Sequence, residues 1–199
     1  MSIYWSSDQH FGHENIIKHT KRPFSTVEEM DAYMIKQWNS VVTEEDDVYH
    51  LGDISHKRCA PERANECIEQ LNGRIHLILG NHETDNPTGV QFDSRMPIEG
   101  RLLINPDFFH TINEGYMYLR IDGKLVVMSH YAPETWHDMS KGTWALHGHS
   151  HGKLTKKTRR LDVGVDTHDF RPWSWPEVQD HFDPQKKRKG GKAHVETAF

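Results

Sequence analysis

Seven side chains of metal-ligand type recur just after short apolar runs. They are Asp8 and His10 after IYWSS, Asp53 after VYHLG, Asn81 after RIHLILG, His130 after KLVVMS, and His149 and His151 after WALHG. Carboxylates, imidazoles and one carboxamide form a mixed oxygen and nitrogen donor set with no thiolate. Such a set suits Mn²⁺, Fe, Zn²⁺ or Ni²⁺ rather than a thiolate zinc site. Seven donors exceed what one ion takes. With one shared carboxylate they suit two ions about 3.5–4 Å apart, an arrangement that activates water and stabilises charge on a phosphoryl group. The stretch LHGHSHG concentrates the question, because His147, His149 and His151 alternate. In an extended segment they point to one side, and three imidazoles are costly to bury there without partners.

The elements that must position these groups are legible from periodicity. IYWSSDQH, DDVYHLGD and RIHLILGNHE read as strands ending in polar groups. Between them, STVEEMDAYMIKQWNSVV reads as a helix, with Ser25 and Glu28 as a capping box and Met30, Met34 and Trp38 on one face. PERANECIEQLNG is a second helix, with Pro61 near its start and Gly73 past its end. Alternating strands and helices predict a layered α/β fold with the ligands at the strand ends of one sheet edge. Residues 84–112 read as mostly loop with a short helix. GYMYLRIDGKLVVMSH is a hairpin through a type I′ turn at Asp122-Gly123. WALHGHSH and RRLDVGVD follow as strands, and FRPWSWPEVQDHF as a turn and short terminal helix. No internal repeat is visible.

Composition bounds the class. The 199 residues suit one domain, taken as 1–183, followed by a basic flexible tail over 184–199. Hydrophobic content of 35% and charged content of 27% describe a soluble globular chain with no apolar run of membrane-spanning length. The first residues lack a basic segment followed by an apolar one, so a cytoplasmic protein is expected. Cys59 and Cys67, on one helix, would stand about 12 Å apart by helical rise, too far to bridge. The compositional outlier is histidine, at 16 residues. Net charge is −5, but the tail carries five cations against one carboxylate, a net +4, which leaves −9 for the body. An acidic body argues against a large nucleic-acid footprint, yet not against a small anionic substrate drawn to metal charge.

Asp8-Gln9-His10, Gly52-Asp53, Gly80-Asn81-His82-Glu83, His130 after a strand, and Gly148-His149-Ser150-His151 stand in the order found in the calcineurin-like metallophosphoesterases. The chain resembles that superfamily across residues 8–151. FGHENII, KRPFS, WNSVV, VYHLGD and VGVD further resemble a small single-domain branch of bacterial and phage genomes. The resemblance implies a four-layered α/β/β/α sandwich of two mixed sheets flanked by helices. It implies two divalent transition metals, Mn²⁺ foremost. One would be held by Asp8, His10, bridging Asp53 and His151; the other by Asp53, Asn81, His130 and His149. It implies hydrolysis of a small phosphoester substrate by a hydroxide bridging the metals. His82 would be the catalytic histidine that contacts the phosphoryl group and protonates the leaving oxygen, and Glu83 would orient it. Phosphodiesters of nucleotide or nucleic-acid type are expected, with a phosphomonoesterase as the alternative. From another class, a scaffold that has lost catalysis is the alternative, although no ligand position is replaced.

The remaining residues divide as follows. His149 and His151 share a side to serve two metals, Gly148 allows close approach, and His147 is left as a structural imidazole or one that supports a ligand from behind. His13 and Asn15 are expected to face the metals rather than merely begin a helix. Asp166 either holds a ligand histidine or caps a turn. His50 and His76 are read as core residues, and Arg22, Tyr131, Trp136 and His137 as exposed loop residues. The basic tail is read as solvated rather than nucleic-acid-binding.

Overall fold

The computed structural model describes residues 1–83, 102–155 and 157–184, and the backbone of 195–198. Residues 84–101, which include most of the expected loop, lie outside the described residues. Two mixed five-stranded sheets face each other. The first is built on β1 (Ile3–Ser6), β2 (Asp47–His50), β3 (Arg74–Ile78), β4 (Phe109–Asn113) and β9 (Trp173–Ser174), in the order β4-β3-β2-β1-β9. All its neighbours are parallel except β1 and β9. The second holds β5 (Tyr116–Ile121), β6 (Lys124–Ser129), β7 (Trp144–His147), β8 (Arg160–Asp162) and β10 (Val195–Ala198), in the order β10-β5-β6-β7-β8. This is the expected α/β sandwich of two mixed sheets.

Two apolar cores hold the layers. Helices α1 (Glu14–Thr20), α2 (Val27–Asn39) and α3 (Pro61–Ile68) cover the first sheet, with Met30, Met34 and Trp38 of α2 packed on Val48, Ile75 and Leu77. Between the sheets, Trp5, Tyr49, Leu51 and Ile78 meet Leu119, Val126, Met128 and Leu146. Alternation along β2 and β6 divides each strand between two faces. The fourth helix, α4 (Trp175–Phe182), inserts Trp175 and Val178 into this inter-sheet core. Its capping box is complete: Glu177 accepts from the Ser174 N–H, and Ser174 caps the helix.

Several local expectations shift. The α2 cap is Thr26, whose side chain accepts from the Glu29 N–H, one residue later than the expected Ser25 and Glu28. The Asp122-Gly123 turn has φ of 49° and 73°, as type I′ requires. β4 and β9 are strands where loop and turn were expected. The tail is not free along its whole length, because β10 pairs antiparallel with β5 at the sheet edge. Cys59 lies ahead of α3, and neither cysteine is in a disulfide. Among the described residues, no helix is long and apolar enough to cross a membrane.

Candidate metal centre

Backbone bonding extends the first sheet beyond its strands and carries the ligand loops with it. The N–H groups of Asp8, His10 and Phe11 donate to the carbonyls of Gly52, Asp53 and Ile54, each at 3.0 Å. On the second sheet Gly148 N–H donates to the His130 carbonyl at 3.0 Å. The two sheets are joined where His149 N–H donates to the Asp8 carboxylate at 2.9–3.0 Å. That contact needs Gly148: a Cβ there would stand 1.9 Å from Ser7 Oγ and 2.7 Å from Asp8 Oδ2. Gly52 is as constrained, at φ +92° with the Gly80 backbone and the His130 ring against it.

These loops bring the expected ligands together. Asp8, His10 and His151 form one group whose donor atoms all lie within 4.8 Å of one another; Asp53, His130 and His149 form a second, and His10, Asp53 and His82 form a third between them. Asp53 joins the two groups, with Oδ2 3.6 Å from His10 Nε2 and 3.5 Å from His130 Nε2. Asn81 Oδ1 is 3.1 Å from His130 Nε2. His82 is adjacent, its Nε2 3.9 Å from Asp53 Oδ2. Five of the seven expected ligand residues, Asp8, His10, Asp53, His149 and His151, have positive φ, between 47° and 64°. Non-glycine residues adopt that region rarely and at a cost, most often at functional sites.

The donor chemistry fits cations. His130 Nδ1 donates to the Leu51 carbonyl at 2.8 Å, which leaves Nε2 as a bare lone pair aimed at Asp53. His151 Nδ1 donates to Asp166 Oδ2 at 2.7 Å, which frees its Nε2 in the same way. His149 Nδ1 and His130 Nε2 face each other at 3.2 Å, so one must carry a proton or both must face a cation. Both ring nitrogens of buried His10 lack a hydrogen-bond partner. Such orphaned groups call for an explanation, and an ion supplies one. Burial and the nearby Asp53 push the Asp8 carboxyl well above its usual range. Burial and Glu83 push Asp53 up to about 8. Two buried carboxylates of like charge stay ionised only beside positive charge.

The surrounding shell resolves the open readings. Asp166 accepts from His151, one of the expected ligands, rather than capping a turn. Burial alone would raise its carboxyl, but His151 and Arg22 outweigh this and hold it well below the usual range. Arg22, expected on an exposed loop, is buried instead. Its Nε and one terminal nitrogen grip both Asp166 oxygens at 2.8 Å, while the guanidinium also donates to the carbonyls of Asp8 and Gln9. Glu83 accepts from the N–H groups of Ile54 and Gly80, at 2.7 and 2.6 Å. It thus braces the backbone behind the site, whereas His82 Nδ1 is buried without a partner. His147 bonds the Gly148 carbonyl, and buried His50 bonds Gln9. His76 pairs with Asp47 and Thr111. Exposed Tyr131 lies edge-on to His130 and His149, and so borders the site. Trp136 bonds Thr143, and His137 packs on Tyr118.

A cleft of about 470 Å³ opens beside His82, lined also by His13, Asn15, His19, His56, Lys57 and Arg58. His13 is the residue ahead of α1 and also faces this cleft, stacked on His56 with ring centroids 3.7 Å apart. Asn15, in the first turn of α1, joins it. His56 has no expectation attached to it in the sequence; its position three residues after Asp53 was the available signal. Burial, then His56 and Lys57, push His82 down to about 3. That shift favours the neutral ring near pH 7 in the bare protein.

The chain is 33% identical over 181 residues to an uncharacterized protein of Methanocaldococcus jannaschii, MJ1445, covering 86% of each. It belongs to the MJ1445 family. The Gene 66 protein of Mycobacterium phage L5 is 29% identical over 187 residues, covering 83% of this chain and 87% of the phage protein. No family model matches. The crystal structure of a protein of unknown function, AQ665 from Aquifex aeolicus, superposes with a TM-score of 0.64 and 22% identity over 90% of this chain and 98% of that one, which shows a shared fold. A structure described as a novel archaeal phosphodiesterase gives a TM-score of 0.42 and 17% identity over 82% of each chain, a likeness too slight to carry an argument.

Proposed function

We propose that this MJ1445-family protein is a dinuclear metal-dependent phosphoesterase of calcineurin-like type, acting on phosphodiesters of nucleotide or nucleic-acid type. The observation that carries the reading is the pair of ligand groups joined by Asp53. Asp8, His10, Asp53 and His151 would hold one divalent ion, and Asp53, Asn81, His130 and His149 the other. Mn²⁺ is the ion proposed for this donor set. Bound ions would lower the pKa of a water and stabilise charge on phosphoryl oxygens.

The chain's own groups do the rest. The bonds from His151 to Asp166 and from His130 to Leu51 fix both tautomers, so neither of these rings has to reorient on binding. His82, neutral in the bare site, offers one N–H to a phosphoryl oxygen. It holds a second proton for a leaving oxygen only when the substrate's own negative charge counteracts the cationic surroundings. Lys57, Arg58 and the imidazoles of the adjoining cleft receive the ester's remaining substituent.

Metal analysis and ester hydrolysis test this together. Protein loaded with Mn²⁺ should retain two equivalents after desalting and should cleave bis(p-nitrophenyl) phosphate faster than p-nitrophenyl phosphate. Fewer than one equivalent and no turnover would reject the enzyme reading. A preference for the monoester would reject the diester assignment.

A further inference from the structure

We infer that Arg22 is a positioning residue for one ion of the pair. It assembles the site of Asp8, His10 and His151 and leaves the site of Asn81, His130 and His149 to other supports. The inference rests on the two-ion reading proposed above and adds to it which ion depends on a residue that binds neither.

The chain doubles back on its own ligand loop to place this side chain. Helix α1 begins directly after the loop that carries Asp8 and His10, and Lys21 ends it in a left-handed turn, at φ 57° and ψ 42°. The Arg22 N–H then donates to the Ile17 carbonyl at 2.9 Å, which keeps Arg22 against the helix end. Its side chain is fully buried, with the Met30 and Met34 sulfurs of α2 at 3.4 and 3.9 Å from one terminal nitrogen.

Every bond from the guanidinium to an oxygen ends on the first site. The two terminal nitrogens donate to the carbonyls of Asp8 and Gln9 at 2.8 Å, and so hold the backbone on which Asp8 and His10 take positive φ. Nε and one terminal nitrogen donate to the two Asp166 oxygens at 2.8 Å, and Asp166 accepts from His151 Nδ1 at 2.7 Å. One planar group therefore sets the loop after β1, on the first sheet, against an imidazole delivered after β7, on the second. None of these bonds reaches the second site. There the Leu51 carbonyl fixes His130, and Glu83 braces the N–H groups of Ile54 and Gly80. Support this uneven predicts an uneven loss. Charge alone predicts the reverse, because a guanidinium beside a cation site repels the cation.

The test is Mn²⁺ titration of chelated full-length protein, followed by calorimetry and electron paramagnetic resonance. Arg22→Lys keeps the charge and loses the fork; Arg22→Gln removes the charge. Circular dichroism establishes that the variants are folded. The wild type should take two ions and show the broad coupled signal of a close pair. Both variants should bind one ion about as tightly as wild type and the other about 10–100-fold more weakly. The hyperfine-split signal of isolated Mn²⁺ should then persist at concentrations that pair the ions in the wild type. Equal weakening of both ions would make Arg22 a general support of the fold and overturn the inference. Unchanged binding of both ions would also overturn it, as would tighter binding by Arg22→Gln, the sign of a charge effect. A wild type that binds fewer than two ions would reject the two-ion reading itself, and the inference with it.

Discussion

Replacement of Asp166 by Asn removes one negative charge from the shell of the metal centre and leaves the side-chain shape in place. The Asp166 side chain is 9% exposed and the Arg22 side chain fully buried. Three charge-assisted bonds converge on this carboxylate, two from Arg22 and one from His151. An amide satisfies fewer of them and leaves the Arg22 charge buried without a counter-ion. Breaking a buried pair from one side costs about 3–5 kcal/mol. In a domain of this length each kcal/mol shifts Tm by roughly 2–4 °C, so the chelated variant should melt about 6–20 °C lower. Domain stability is commonly about 5–15 kcal/mol, so a folded state should remain. The second consequence falls on His151. Without an acceptor fixed at Nδ1, its tautomer and orientation are no longer set, and losing such a partner weakens metal affinity by about 10–100-fold. Melting followed by circular dichroism reads the first effect on chelated protein, and Mn²⁺ titration reads the second. A variant that melts within about 2 °C of wild type and binds Mn²⁺ equally would show that Arg22 and His151 do not rely on Asp166.

Asp53→Asn should weaken binding of both ions and abolish turnover, whereas His147→Ala should leave metal content intact; metal analysis separates the two, and loss of a full equivalent from the His147 variant would reassign the ligands. His82→Ala should keep its metals and lose about 10²–10⁴-fold on a nucleotide diester, with a much smaller loss on a nitrophenyl ester; equal losses would mean that His82 only stabilises the phosphoryl charge. In α4, burial alone would raise Glu177, but Arg171 and Ser174 outweigh it and lower the carboxyl from 4.5 to about 2. Its stabilising contribution is therefore full above pH 4.5 and lost as pH falls toward 2. Glu177→Gln should narrow the Tm difference from wild type across that window, and a difference independent of pH would refute this. Chelation should lower Tm, and Mn²⁺ should restore it with the logarithm of its excess over Kd; identical melting with and without metal would contradict a site built to hold ions.

The strand ends were legible because each strand passes from apolar to ligand-type residues within two or three positions, and parallel strands deliver such ends to one edge. Pairings across the chain were not. Arg22 sits in an ordinary KRPFS segment, and nothing local says that its guanidinium meets Asp166, 144 positions away. The strand β4 escaped because only Phe109 of FHTIN is buried, so no alternation marks it. β9 has two residues, and its identity comes from its pairing with β1 rather than from any pattern of its own. The α2 cap was misplaced by one residue, since Ser25 and Thr26 are both competent caps and Glu28 and Glu29 both competent partners. The Asp122-Gly123 turn was legible, because the dipeptide itself demands positive φ at both positions.

The positive φ angles at five ligand positions connect the fold to the chemistry. Each is an unfavourable backbone state, held by the bonds that tie the loops after β1 and β2 together and join Asp8 to the loop after β7. The bare centre adds buried carboxylates of like charge, Asp8 pushed up by burial and Asp53, and Asp53 by burial and Glu83. Both costs concentrate on the same residues, and neither is relieved by the apolar residues of the strands, the last of which stand two or three positions ahead of the ligands. Cations relieve the electrostatic part directly. The backbone part they only exploit, because a loop already fixed by Gly52, Gly148 and Glu83 loses little further freedom when an ion binds. The sandwich therefore stores a preformed set of metal-ligand side chains at the expense of metal-free stability, and ions bound there would return that stability.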